Sequence, residues 1–151
     1  MKYTNYFKGI GTLLLGIASS LLAQEKIDEN YELIFKNSKR HLVEGIHVYV
    51  TDVNGIVDFI FLDLNGNGYL DQQGKGHVRS GDIAIIRNKT LKGEGGRLRG
   101  SSLDRDLDGN PDSGLSRVGP NTSLYDIVRD PTVADAINYN LLQLKFINAE
   151  R

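Results

Sequence analysis

The chain contains no cysteine. That excludes a disulfide framework, a thiolate zinc site, a cysteine nucleophile and a lipoprotein-type anchor. It has no tryptophan, and only three prolines against seventeen glycines. So little proline beside so much glycine points to tight loops, not to a stiff linker. An excess of positive charge is also missing. Lys and Arg number 18, Asp and Glu 19, for a net charge of −1 over 151 residues. This excludes a basic nucleic-acid footprint spread over the whole chain. The apolar run at residues 10–23 (IGTLLLGIASSLLA) falls short of the roughly 20 residues that a membrane span requires.

That run follows a short positive segment carrying Lys2 and Lys8. Together they have the layout of a secretory signal peptide over residues 1–23, with Ala23 before a cleavage point and Ala18-Ser19-Ser20 as a second candidate. The expectation is export to a secreted, cell-surface or periplasmic location. Residues 24–151 then form a single domain with no membrane span after signal removal. The compartment would permit disulfides. Without cysteine, something else must hold the loops.

Residues 24–30 (QEKIDEN) are charged and read as frayed. Residues 31–35 (YELIF) read as a first strand and residues 42–51 (LVEGIHVYVT) as a second, rich in β-branched and aromatic residues. Asp52 to Gly55 (DVNG) has hairpin-turn chemistry. Residues 56–62 (IVDFIFL) and 83–87 (IAIIR) are further strands, and residues 92–102 (KGEGGRLRGSS) an exposed loop. Ser123 with Asp126 has capping-box spacing. Asp130-Pro131 reads as an N-cap followed by proline at the first helical position. Val133, Ile137, Leu141 and Leu144 recur at helical spacing through Asn148. The fold class is therefore α+β: a small antiparallel sheet carrying Asp-rich loops, followed by a C-terminal amphipathic helix.

Two segments carry chemistry. The first runs from Asp63 to Asp71 (DLNGNGYLD) and the second from Asp104 to Asp112 (DRDLDGNPD). Both place oxygen side chains at positions 1, 3, 5 and 9 and glycine at position 6. Oxygens at alternate residues of a tightly curled loop converge on one point. Glycine permits the sharp turn, and the carbonyl at position 7 can then face inward. Only hard oxygen donors appear, which suits Ca²⁺ and disfavours zinc or copper.

Both segments resemble the calcium loop of EF-hand proteins, and equally the shorter Asp-rich loops of dockerins and thrombospondin type 3 repeats. The resemblance implies Asp63, Asn65, Asn67, the carbonyl of Tyr69 and Asp71 as one ligand set. It implies Asp104, Asp106, Asp108, the carbonyl of Asn110 and Asp112 as the other. Position 12, a bidentate Glu in an EF-hand, is Gly74 in one segment and Leu115 in the other, and neither segment is framed by two helices. The chain is thus not an EF-hand pair. Asp52, Asp58 and Asp82 are sequence-near candidates for the missing ligand of the first loop. The second loop holds four carboxylates in nine residues, which repel one another unless a cation sits among them. Few ligands and no bidentate residue predict a Kd of roughly 10⁻⁴ to 10⁻³ M.

Other patterns are weaker. His41, His47 and His77 lack metal-ligand spacing, Ser101 and Ser102 form no nucleophile elbow, and the Gly-rich run lacks a phosphate-loop signature. Lys92, Arg97, Arg99 and Arg105 form a local basic stretch with an anion or polysaccharide as its candidate contact. Asn88 and Asn121 head glycosylation sequons. The leading expectation is an exported Ca²⁺-binding protein, not an enzyme. Ca²⁺ would order the contact face of a structural or adhesive module, with a protein or polysaccharide at the cell surface as partner and no nucleic acid. Two alternatives stand beside it: a small secreted glycan hydrolase with paired carboxylates such as Asp58 and Asp82, and a structural domain whose Asp-rich turns bind nothing.

Overall fold

A computed structural model describes residues 27–73, 80–90 and 100–149. The expected signal peptide lies outside the described residues, as do His77, Lys92, Arg97 and Arg99. Helix α1 (Glu29–Lys36) comes first. Strands β1 (Lys39–Val43), β2 (Ile46–Val53) and β3 (Val57–Asp63) follow, then the short pair β4 (Gln72–Gln73) and β5 (Ser80–Gly81). Strands β6 (Ile83–Asn88), β7 (Ser101–Asp104) and β8 (Ser113–Leu115) complete the β part, and helices α2 (Leu124–Arg129) and α3 (Pro131–Ala149) end the described chain. Six strands form one antiparallel sheet in the order β1-β2-β3-β6-β7-β8, and β4 pairs with β5 separately. The α+β class holds.

Strand β3 is buried at all seven positions because helices cover both faces of the sheet. Ile60 and Leu62 point to one face, with Val48, Ile83, Ile85 and Leu103, under Ile127, Val133 and Ile137 of the C-terminal helices. Val57, Phe59 and Phe61 point to the other, under Tyr31 of α1. Because both faces are covered, this strand is apolar except at Asp58 and Asp63. Among the apolar neighbours, Asp58 survives through Arg87, its register partner, whose Nε donates to Asp58 Oδ1 at 3.0 Å.

Two strand expectations fail. The segment 31–35 is helix, not strand. Asp28 caps it, its Oδ1 accepting from the backbone N–H groups of Asn30 and Tyr31 at 2.9 and 3.3 Å. Glu29 and Glu32 sit in the first turn and Lys36 in the last, each at the end the helix dipole favours. Tyr31, Ile34 and Phe35 belong to one face at i, i+3, i+4 spacing and pack against the aromatic side of the sheet. Asp28 and Asn30, expected to fray, are thus a cap and a buried residue. The segment 42–51 is not one strand but the two arms of a hairpin. Val43 pairs with Ile46, so Glu44-Gly45 is a two-residue turn with φ of 50° and 80°. That is the both-positive geometry of tight hairpins, where Asn-Gly is the commoner pair.

The turn and cap signals hold. Asn54-Gly55 turns β2 into β3 with positive φ at both residues. Ser123 Oγ accepts from Asp126 N–H at 3.1 Å, and Asp130 Oδ1 accepts from Thr132 and Val133 N–H. Ser101 and Ser102, expected in a loop, begin β7. The apolar stripe of α3 is carried by Val133, Ala136 and Ile137, but then passes to buried Asn140, while Leu141 is 39% exposed. The side chain of Leu144 lies outside the described residues.

Candidate metal centre

Each Asp-rich loop leaves a sheet strand at its first position: Asp63 ends β3 and Asp104 ends β7. Both residues are buried at the floor of their loops. The glycine at position 6 closes each loop in the same way. Gly68 N–H donates to Asp63 Oδ2 at 2.8 Å, and Gly109 N–H to Asp104 Oδ2 at 2.9 Å. One residue on, Tyr69 N–H donates to Asn67 Oδ1 at 3.0 Å and Asn110 N–H to Asp108 Oδ1 at 2.8 Å. Gly68 and Gly109 have φ of 83° and 91°, a region that side chains with a Cβ rarely enter.

In the first loop, one carboxylate oxygen each from Asp63, Asp71 and Asp82 lies within 4.8 Å of the other two. Asp82 joins from the segment between β5 and β6, so of the three sequence-near candidates the structure brings in this one. Asp58 is paired with Arg87 and Asp52 with Lys89 instead. This cluster is largely satisfied from within. Asp63 accepts from Gly66 and Gly68 N–H, and Asp82 from Leu64 and Asp71 N–H. Asn65 and Asn67 turn their amide N–H groups onto Asp71 Oδ2, at 3.0 and 2.6 Å. For a cation those amides would have to present Oδ1. Burial pushes the Asp82 carboxyl up to about 8, against the pull of its two backbone donors and with Asp63 and Asp71 adding repulsion. Tyr69 is 71% exposed, and His47 covers Gly66, its Nε2 2.9 Å from where a Cβ there would stand.

In the second loop the group is Asp104, Asp106 and Asp108, again within 4.8 Å. Asp112 stays outside it: it is exposed, and its Oδ2 accepts from Arg105 N–H at 2.7 Å. Asn110 is exposed beside it. Three of the four carboxylates therefore converge. Asp104 is 0% exposed, and its two oxygens differ. Oδ2 accepts from Gly109 N–H and from the Tyr31 hydroxyl at 2.7 Å, whereas Oδ1 is buried with no donor. Burial, then the facing Asp106 carboxyl, raises the proton affinity of Asp104, and Asp106 is raised by burial in turn. Burial and the Asp104 charge push the Tyr31 phenol upward, so that hydroxyl remains a donor. An ionised carboxylate oxygen in the interior without a donor is costly. Here a proton or a cation removes the penalty.

Tyr31 and Asp28 connect α1 to this loop, a link with no local sequence signal because the segment reads as a strand. Asp28 N–H donates to the Leu107 carbonyl at 2.8 Å. A Cβ on Gly109 would stand 2.6 Å from Asp28 Oδ2. Gly109→Ala should therefore both strain the backbone and displace the cap of α1. We expect a loss of about 1–3 kcal/mol, read as a lower denaturation midpoint in urea with an unchanged slope. Gly68→Ala, with nothing within 4 Å of its Cβ position, should lose only the backbone contribution. Arg105 of the expected basic stretch stacks on Tyr139, its guanidinium 5.0 Å from the ring centre.

No helix among the described residues is long and apolar enough to cross a membrane. Comparison with known proteins finds no matching family model, no matching curated protein and no matching solved structure.

Proposed function

We propose that this chain is an exported Ca²⁺-binding protein in which the ion orders the loops of a structural or adhesive surface module. The observation that carries the reading is Asp104 Oδ1, a buried carboxylate oxygen without a donor, in a group with Asp106 and Asp108. The donors are all hard oxygens, the chemistry that selects Ca²⁺ over softer metals. With no cysteine in the chain no disulfide can cross-link its loops, and the free energy of cation binding would add directly to folding. The partner in this reading is a protein or polysaccharide outside the cell.

Thermal unfolding with about 5 mM CaCl₂ against chelator tests it. For a Kd of roughly 10⁻⁴ to 10⁻³ M, Ca²⁺ should add about 1–2 kcal/mol, a rise of several degrees that equal Mg²⁺ does not reproduce. Asp104→Asn keeps an acceptor for Tyr31 and Gly109 but removes the charge. It should abolish the Ca²⁺ response while leaving the chelated protein at least as stable as wild type. An unchanged midpoint in wild type would leave the loops as turns and end the proposal.

A further inference from the structure

The two Asp-rich loops are tied to each other by two side chains that belong to neither ligand set. Gln72 follows Asp71 of the first loop, and its Nε2 donates to the backbone carbonyl of Asp106 in the second. Asn140 reaches both from α3. Its Nδ2 donates to the carbonyl of Gly81, beside Asp82, at 3.0 Å, and to the carbonyl of Arg105, between Asp104 and Asp106, at 3.2 Å. Asn140 is 0% exposed and its Oδ1 has no donor. A buried amide with one group unsatisfied is costly where packing alone is wanted. The Gly81 end of this link is closely packed: a Cβ on Gly81 would stand 2.3 Å from the Asp71 carbonyl, which itself accepts from Asp82 N–H at 2.9 Å.

The two clusters differ in what they lack. In the first, Asp63 and Asp82 each accept two backbone N–H groups. In the second, Asp104 Oδ1 is without a donor. The second therefore calls for a cation more strongly. Drawing Asp104, Asp106 and Asp108 onto an ion would fix the peptide carbonyls of Arg105 and Asp106, the acceptors of Asn140 and Gln72. Resting on the reading of the second cluster as a Ca²⁺ site, we propose that Gln72 and Asn140 are positioning residues through which cation binding at the second loop immobilises the first. The coupling runs through hydrogen bonds of which one is buried and two are partly buried, so it needs no change of fold, only a loss of freedom in the segment from Asp63 to Asp82.

The test follows backbone amide signals and their hydrogen exchange during a CaCl₂ titration of the full chain, reading Gly109 for the second loop and Gly66 and Gly68 for the first. In wild type all three should respond with one midpoint. Asp106→Asn with Asp108→Asn should abolish the Gly109 response and, with it, the response of Gly66 and Gly68. Asn140→Ala and Gln72→Ala should preserve the Gly109 midpoint but weaken or delay the response of Gly66 and Gly68. The half-buried position of Gln72 keeps the question answerable if Asn140→Ala does not fold. An unchanged midpoint at Gly66 and Gly68 in the doubly substituted protein, or in Gln72→Ala, would overturn the coupling while leaving the second loop as a Ca²⁺ site. No response at Gly109 in wild type would instead remove the site and the coupling with it.

Discussion

Held in chelator, the protein should lose stability as the pH rises from about 5 to about 9, and Ca²⁺ should restore it most at the alkaline end. Most proteins are destabilised by acid because their carboxylates are paired in the folded state. Here the folded state raises the proton affinity of Asp82, to about 8, and of Asp104 and Asp106. Between the ordinary carboxylate value of 3.8 and about 8, the native chain therefore binds more protons than the unfolded chain. The stabilisation is fully present below the unfolded value and is lost as the pH climbs through the folded one. Its slope is up to about 1.4 kcal/mol per pH unit for each group. In the proposed site Ca²⁺ would compete with the same protons, so its affinity should rise with pH by up to about tenfold per unit for each proton displaced. Melting curves across this range, with chelator and with CaCl₂, check both slopes. A chelated protein whose midpoint rises steadily toward neutral pH would show that the carboxyl groups are not held protonated by the fold.

The second large effect concerns the core. Asp58→Ala should cost about 3–5 kcal/mol, because it leaves Arg87 charged and largely buried without its carboxylate. Arg87 is held by Asp58 through Nε and Nη2, and its Nη1 donates to the Thr122 carbonyl ahead of α2. The loss should therefore loosen the C-terminal helices as well as the β3–β6 ladder. Replacing both partners, Asp58→Leu with Arg87→Met, should recover much of it, since two apolar groups need no partner. Urea unfolding of the single and double variants measures the difference. A single variant within about 1 kcal/mol of wild type would show that the pair is solvated. Either protein should keep its Ca²⁺ response, which separates this structural pair from the Asp104 group.

Some of this architecture was readable in one dimension. The Asn54-Gly55 turn, the Ser123 cap and the Asp130-Pro131 start all depend on residues within four positions of one another. Their energetics are local, and the fold agrees with them. In the second Asp-rich loop positions 1, 3 and 5 do lie together, whereas in the first the carboxylates that meet are positions 1 and 9 with Asp82 from outside the loop. Two local readings failed where competing signals overlap. Residues 31–35 form a short apolar-rich run that reads as a strand, yet the Asp28 cap and the helical spacing of Tyr31, Ile34 and Phe35 prevail once the sheet offers an aromatic face. Glu44-Gly45 turns a hairpin without the usual first residue because the β1–β2 register leaves only two residues to do it.

The sequence by itself determined the donor chemistry: hard oxygens at ligand spacing, glycine at the turn, and no cysteine for an alternative cross-link. Only the tertiary structure decided which oxygens meet and in what state. It brought Asp82 into the first cluster and left Asp112 out of the second. It buried Asp104 under Tyr31, 73 positions away, and ran Asn140 between the two loops. The physical reason is range. A loop closes on its own neighbours, but the cost of an unpaired buried oxygen depends on every chain segment packed around it, and no local pattern records that packing.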